Sequence, residues 1–157
     1  MTRSYPERPF VGIGAVVFRD ENVLLVRRGR PPREGRWSIP GGIQQLGETV
    51  FEAARREVRE ETALEIEVID VVAVVDSIAR DEGGRIKYHY TLVDLRAEWR
   101  GGEAAAGDDA AEVAWVPLDR LAELGLWRET VRVIRLAAAR RAHGAAPSTN
   151  AGIVYIP

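Results

Sequence analysis

Three glutamates close together in the sequence are the residues best suited to chemistry. Glu57, Glu60 and Glu61 are spaced i, i+3 and i+4, so on a helix their side chains share one face. Three like charges on one face repel each other, but carboxylate oxygens are also the ligands that divalent cations prefer. On spacing alone, a solvated acidic helix face is the alternative interpretation. The segments around the glutamates are therefore needed to distinguish a cation site from a solvated acidic face.

The segment before the glutamates favours a ligand site at the start of a helix. Thr49 and Glu52 have the spacing of a capping box, which predicts a helix over residues 49–62. Gly41 and Gly42 precede it, and residues without a Cβ allow the backbone to approach a ligand closely. A further carboxylate, that of Glu48, then comes at the helix N-terminus.

The order of these residues resembles the signature of the Nudix hydrolase family, G-x5-E-x7-R-E-U-x-E-E-x-G-U, in which U is aliphatic. The match begins at Gly42, ends at Leu64 and covers eight of the nine specified positions. Ala63 stands where the signature has glycine. Glycine past a helix end commonly adopts a left-handed conformation, which costs alanine about 1 kcal/mol. The departure concerns the exit turn and removes no carboxylate.

The resemblance implies roles for the residues that match the signature. Glu57, Glu60 and Glu61, with the Gly41 carbonyl, would bind Mg²⁺, or Mn²⁺ as an alternative. Arg56 would pair with the carboxylates and orient them, as hydrogen-bond partners of metal ligands do. We count Glu57, Glu61 and Arg56 as catalytic.

The resemblance implies that the general base comes from a loop downstream of the helix. The acidic segment before Trp115 offers Asp109, our choice, with Asp108 and Glu112 behind it. A solvated loop charge is the alternative interpretation of each of these acids.

Four further residues are expected near the substrate. Gly42 and Glu48 belong to the signature, and the alternative interpretation of Glu48 is an acid favoured by the helix dipole. Arg28 and Arg36 lie in a basic segment that is suited to a phosphate or a ribose, with a solvated loop as the alternative.

Composition excludes several other classes of site. The chain has 157 residues, a formal charge of −2, no cysteine and two histidines. Thiol nucleophiles, cysteine-bound metals and multi-histidine metal sites are therefore excluded, which leaves oxygen ligands. The near-neutral charge argues against a nucleic-acid partner. The chain has no apolar stretch of the length that a membrane span needs, so we expect a cytoplasmic protein without a membrane partner.

Strands and two helices alternate in the order expected of an α+β protein. Strands are predicted over residues 10–18, 23–26, 37–40, 66–78, 85–99 and 112–116, a helical turn over 118–124 and a second helix over 128–141. The resemblance implies an α/β/α sandwich with a mixed sheet. We expect an N-terminal extension (1–9), one domain (10–143) and a loosely held tail (144–157).

The resemblance implies a pyrophosphohydrolase that acts on a small nucleotide, and a homodimer is one arrangement it allows. The run from Val75 to Asp81 and the segment from Gly107 to Ala110 resemble those of family members that act on ADP-ribose. ADP-ribose is therefore the first substrate expected, followed by an ordinary or oxidised nucleoside triphosphate and then a dinucleotide polyphosphate. A nucleotide sensor without catalysis is the alternative of another class, but such a protein is expected to lack some of the helical carboxylates. An RNA 5′-pyrophosphohydrolase should have a more basic surface.

Overall fold

The described part of the chain contains eight strands and two α-helices. The structure, a computed structural model, describes residues 2–30, 33–107, 109–143 and 152–157. A 3₁₀ helix, Leu118–Leu124, precedes the second α-helix. The elements are β1 (Phe10–Arg19), β2 (Asn22–Arg28), β3 (Trp37–Ser38), β4 (Gly41–Ile43), α1 (Val50–Thr62), β5 (Glu65–Arg80), β6 (Ile86–Gly101), β7 (Ala110–Pro117), α2 (Arg128–Ala142) and β8 (Val154–Ile156).

The strands form one mixed sheet. Its main path runs β3-β2-β1-β6-β5-β8, while β4 pairs with β1 and β7 pairs with β2. The β1–β6 and β5–β8 pairs are parallel and the remaining pairs are antiparallel. Because β1 pairs with β4 at its N-terminal half and with β2 at its C-terminal end, these two strands diverge on one side of β1.

Each face of the sheet carries one helix. Alternate residues of β1 point to opposite faces, so that Ala15 and Val17 pack in the cluster containing Val58 of α1. Val16 and Phe18 belong to the cluster on the α2 side. The predicted α+β sandwich with a mixed sheet is thus confirmed.

Two short strands differ from the sequence expectation. β4 was not predicted, because two of its three residues are glycines and pairing with β1 is what makes it a strand. The tail was expected to be loosely held, but Val154–Ile156 pairs with β5 and Ile156 is 3% exposed. The alternating apolar residues at the end of the chain were the available signal for β8. No helix in the described part of the chain is both long and apolar enough to cross a bilayer.

Candidate active site

Helix α1 is anchored in the core by an apolar stripe that lies beside two of its glutamates. The capping box is formed: Glu52 N–H donates to Thr49 Oγ1 at 3.1 Å, and Thr49 N–H donates to Glu52 Oε2 at 2.8 Å. Ala54 and Val58 are buried against the sheet. Glu57 and Glu61, one turn apart and beside this apolar stripe, face the glycines of strand β4.

Arg56 forms the most extensive polar contacts around α1. Its Nε and Nη2 atoms donate to the two Glu48 oxygens at 2.6 and 3.0 Å, and Nη1 donates to Glu57 at 2.6 Å and to Glu60 at 3.3 Å. Nη2 also donates to the Ile43 carbonyl at 3.1 Å. The guanidinium lowers the pKa of Glu48 and is itself held charged. One planar cation thus fixes three carboxylates relative to β4.

Glu57 lies against the glycine pair of β4. Its side chain is 12% exposed, and burial raises its pKa in spite of the bond from Arg56. A Cβ at position 42 would collide with the Glu57 carboxylate. Gly42, predicted as a substrate contact, is therefore the residue that makes room for this carboxylate.

Glu61 is the most strongly perturbed acid on α1. Gly41 N–H donates to its Oε2 at 3.1 Å. Burial raises the pKa of Glu61 to about 8; the charges of Glu57 and Asp109 also raise it, whereas that of Arg28 lowers it. These electrostatic influences place Arg28, from the end of β2, and Asp109, from the segment before β7, in the neighbourhood of Glu61.

A loop docked on the end of α1 brings Asp109 to this position. Helix ends leave carbonyls without intrahelical partners, and here Ala105 N–H donates to the Thr62 carbonyl while Gly107 N–H donates to that of Glu61, both at 3.0 Å. A Cβ at position 107 would stand 2.5 Å from the Glu60 carbonyl oxygen. The loop can therefore lie this close only with glycine there.

The exit turn of α1 is kept although alanine replaces the signature glycine. Ala63 has φ 61° and ψ 16°, in the left-handed region, and its N–H donates to the Arg59 carbonyl. This is the conformation that the signature glycine predicts.

The other candidate residues occupy more exposed positions. Asp109 forms an exposed ion pair with Arg30 at 3.1 Å, and its carbonyl accepts from Gly29 N–H at 2.7 Å. Glu112 pairs with Arg27 at 3.1 Å. Arg36 has an exposed side chain, and its carbonyl accepts from Arg28 N–H at 2.9 Å. Asp108 lies outside the described residues.

The glutamates do not form a ready-made cation cage. Within residues 2–30, 33–107, 109–143 and 152–157, no three acidic or histidine side chains converge on one point. Arg56 draws Glu57 and Glu60 toward itself, while Gly41 N–H holds Glu61. The donors nevertheless suit a hard divalent cation, because the raised pKa values of Glu57 and Glu61 reflect buried carboxylates whose charge such a cation would stabilise.

The sequence did not indicate several of these contacts. The bond from Gly41 N–H to Glu61 was missed because only the Gly41 carbonyl was considered. The approach of Arg28 to Glu61 depends on where β2 ends relative to α1, for which local spacing gives no signal. Arg56 contacts Glu57 and Glu60, as the resemblance implied, whereas Glu61 is bonded by Gly41 N–H instead. The two bonds from Arg56 to Glu48 were not predicted.

The chain is similar to known proteins in both sequence and fold. The NUDIX domain family model matches residues 8–137. An ADP-ribose pyrophosphatase of Methanocaldococcus jannaschii is 35% identical over 123 residues, which cover 78% of this chain and 70% of that protein. A putative 8-oxo-dGTP diphosphatase 2 of Mycobacterium tuberculosis is 38% identical over 119 residues, covering 69% of this chain and 81% of that protein. The crystal structure of a MutT NUDIX hydrolase from Burkholderia pseudomallei is 31% identical, with a TM-score of 0.72, over 83% of this chain and 98% of that one.

Proposed function

The chain belongs to the NUDIX domain family, and from this premise we propose that it hydrolyses a diphosphate bond in a nucleoside diphosphate derivative with the help of divalent cations. ADP-ribose is the first substrate that we propose. One water would convert it to AMP and ribose 5-phosphate. The similarity to an ADP-ribose pyrophosphatase supports this choice of substrate.

The observation that carries the proposal is the pair of acids set over the glycines of β4. Burial raises the pKa values of both Glu57 and Glu61, and each touches or bonds a glycine of β4. Perturbed acids grouped in this way are characteristic of catalytic sites. A merely solvated helix face would leave its carboxylates exposed and unperturbed.

Several residues of the site have roles in binding and orienting. Mg²⁺, or Mn²⁺ as the alternative, when bound supplies neutralisation of the diphosphate charge and a lower pKa for the attacking water. Glu57, Glu60, Glu61 and the Gly41 carbonyl would hold it. Arg56 orients Glu57 and Glu60 by direct hydrogen bonds.

Asp109 and Arg28 also have roles in the proposed reaction. Asp109 would accept a proton from the attacking water, and the docking of its loop on the C-terminal carbonyls of α1 supports this role. Arg28 would attract the phosphates, since its charge already acts on Glu61.

A second candidate substrate is an oxidised nucleoside triphosphate. The 38% identity with a putative 8-oxo-dGTP diphosphatase favours it. Both candidates require the same cleavage of a diphosphate bond and differ in the base, the sugar and the group beyond the phosphates.

A substrate panel tests the proposal. We expect release of AMP and ribose 5-phosphate from ADP-ribose in Mg²⁺, loss of release in EDTA and recovery in Mn²⁺. The panel also contains 8-oxo-dGTP, ordinary nucleoside triphosphates, a dinucleotide polyphosphate and 5′-triphosphorylated RNA, and the highest kcat/KM identifies the substrate. Nucleotide binding without metal-dependent release from any member would contradict the proposal and favour a sensor.

A further inference from the structure

Asp94 is a buried acid that belongs to neither helix. It lies on β6 between Val93 and Leu95, whose side chains pack on the α1 side of the sheet. Side chains alternate along a strand, so Asp94 points to the α2 side. The residue is 7% exposed.

The carboxyl of Asp94 has no stabilising partner in the described part of the chain. None of the hydrogen bonds and ion pairs of these residues involves it, and burial alone raises its pKa to about 7. Arg96, two residues along and 4% exposed, is by contrast paired with Asp70 at 3.1 Å. An unpartnered buried carboxyl destabilises a fold, and polar groups kept in this way commonly have a function.

Paired residues of neighbouring strands connect Asp94 to the site on α1. Asp94 pairs with Gly14 of β1, and Gly14 pairs with Gly41 of β4, whose N–H holds Glu61. Two steps between neighbouring strands separate Asp94 from Gly41 by about 10 Å. If the diphosphate of a nucleotide lies at Gly41, the base and the ribose of that nucleotide reach about as far as Asp94.

The surroundings of Asp94 are apolar and incompletely covered. A side chain at position 14 would collide with both Asp94 Oδ1 and Ile39 Cδ1, so these two atoms lie together over Gly14. Ile39 and Leu92, on the same side of the sheet, are only partly buried, so the apolar cover of this part of the sheet is incomplete. Apolar walls with one polar group are typical of small-molecule sites.

We propose that Asp94 is a specificity-determining residue that accepts a hydrogen bond from the nucleoside part of the substrate. The donor is an N–H group of the base or a hydroxyl of the ribose. A phosphate is excluded as the partner, because a carboxylate repels it. The inference rests on the proposed function, since it takes the diphosphate to lie at Gly41.

Steady-state kinetics of Asp94→Asn and Asp94→Ala test the inference. Asparagine keeps one acceptor oxygen and alanine keeps none, so we expect KM for the preferred nucleotide to rise about tenfold and about a hundredfold, respectively. The kcat value should change little, because Asp94 does not touch the diphosphate. Asp119→Asn, the same change at an exposed position, is the control and should behave as wild type. An unchanged KM in both Asp94 variants, with normal unfolding transitions, would overturn the inference.

Substrate analogues identify the donor. With ADP-ribose as substrate, the hypoxanthine analogue lacks the base amino group, and the 2′-deoxyadenosine and 3′-deoxyadenosine analogues each lack one hydroxyl. Wild type should discriminate against one of these analogues, and Asp94→Ala should lose that discrimination. If the variant keeps all three wild-type ratios of kcat/KM, Asp94 contacts none of these groups and the inference fails.

Nucleotide binding measured without metal tests the role of Asp94 independently of the proposed hydrolysis. Calorimetric titration with AMP, GMP, UMP and CMP in EDTA should show one nucleotide that binds wild type at least about tenfold more tightly than Asp94→Ala. Such a difference in a chain that hydrolyses nothing would overturn the proposed function alone. Equal affinities for every nucleotide would overturn the role of Asp94, whatever the hydrolytic activity.

Discussion

Arg56 is the residue on which the arrangement of the acids depends most directly. It bonds to Glu48, Glu57 and Glu60 and to a carbonyl of β4. A guanidinium can do this because its donors diverge in one plane, whereas the ammonium of lysine is a point charge. The charge of residue 56 is thus less important than its geometry.

Arg56→Lys should therefore impair the site while leaving the fold intact. Orienting partners of metal ligands typically contribute about 10–100-fold in metal affinity or activity, and we expect a loss in that range. Mg²⁺ titration of the hydrolytic rate measures it.

Arg59→Lys is the matched control, because Arg59 pairs with Glu65 at the surface with both side chains more than half exposed. Its rate should stay within about threefold of wild type, as expected of a surface ion pair. Equal rates for Arg56→Lys and wild type would show that Arg56 does not orient the acids.

The sequence predicted those site residues that are close together along the chain. The spacing of Glu57, Glu60 and Glu61 places them on one helix face without any knowledge of the fold. Asp109 was only one of three acids in a loop, and the docking of that loop on α1 is what brings it near Glu61. Asp94 received no role, although an acid within an apolar strand was a visible signal.

At the scale of elements, local contacts fix the N-terminus of α1, whereas contacts from a distant part of the chain fix its C-terminus. The capping box lies within four residues and could be read from the sequence. The C-terminal carbonyls are satisfied instead by a loop more than 40 residues downstream. Short strands show the same contrast, since β4 exists through pairing with β1 and β8 through pairing with β5.

Ala63→Gly should stabilise the protein. Ala63 has a left-handed conformation with φ 61°, which costs an L-residue about 1–2 kcal/mol, whereas glycine adopts it freely. Part of this gain is lost to the greater entropy of glycine in the unfolded chain, so we expect a net gain of about 0.5–1 kcal/mol. Urea denaturation measures the free energy of unfolding.

Ala138→Gly is the control for this change, because residue 138 lies inside α2. Glycine there should lower the free energy of unfolding by about 1 kcal/mol. A loss of stability in Ala63→Gly as well would show that the turn at residue 63 is not strained.

At the scale of the whole molecule, the mixed sheet separates two kinds of acid. The α1 side carries the glutamates and their partners, whereas Asp94 is buried on the α2 side. Glycines at positions 14 and 41 connect them through adjacent strands. In the binding mode proposed here, the diphosphate and the nucleoside part of the substrate would therefore lie in different chemical environments.

Asp94 should make stability depend on pH. Its pKa is raised to about 7 from 3.8, so between these values the folded chain binds a proton that the unfolded chain does not. The free energy of unfolding therefore falls as pH rises from about 4 to about 7. Asp94→Asn lacks this effect, so its Tm minus that of wild type should increase across the window and level off above it. Thermal unfolding in EDTA measures this difference in Tm, in which the contributions of groups common to both chains cancel. The same difference in Tm at about pH 4 and about pH 7 would contradict the burial of an unpartnered carboxyl.

Metal-dependent turnover by a chain with one neutralised site acid tests the account most directly. The Mg²⁺-dependent hydrolysis rate is measured for wild type, Glu61→Gln and the surface control Glu65→Gln, with unfolding curves to confirm that each is folded. Because the account requires an anionic ligand at residue 61, Glu61→Gln should lose at least about a hundredfold in kcat while Glu65→Gln keeps the wild-type rate. A folded Glu61→Gln protein that hydrolyses the substrate at the wild-type rate would contradict it.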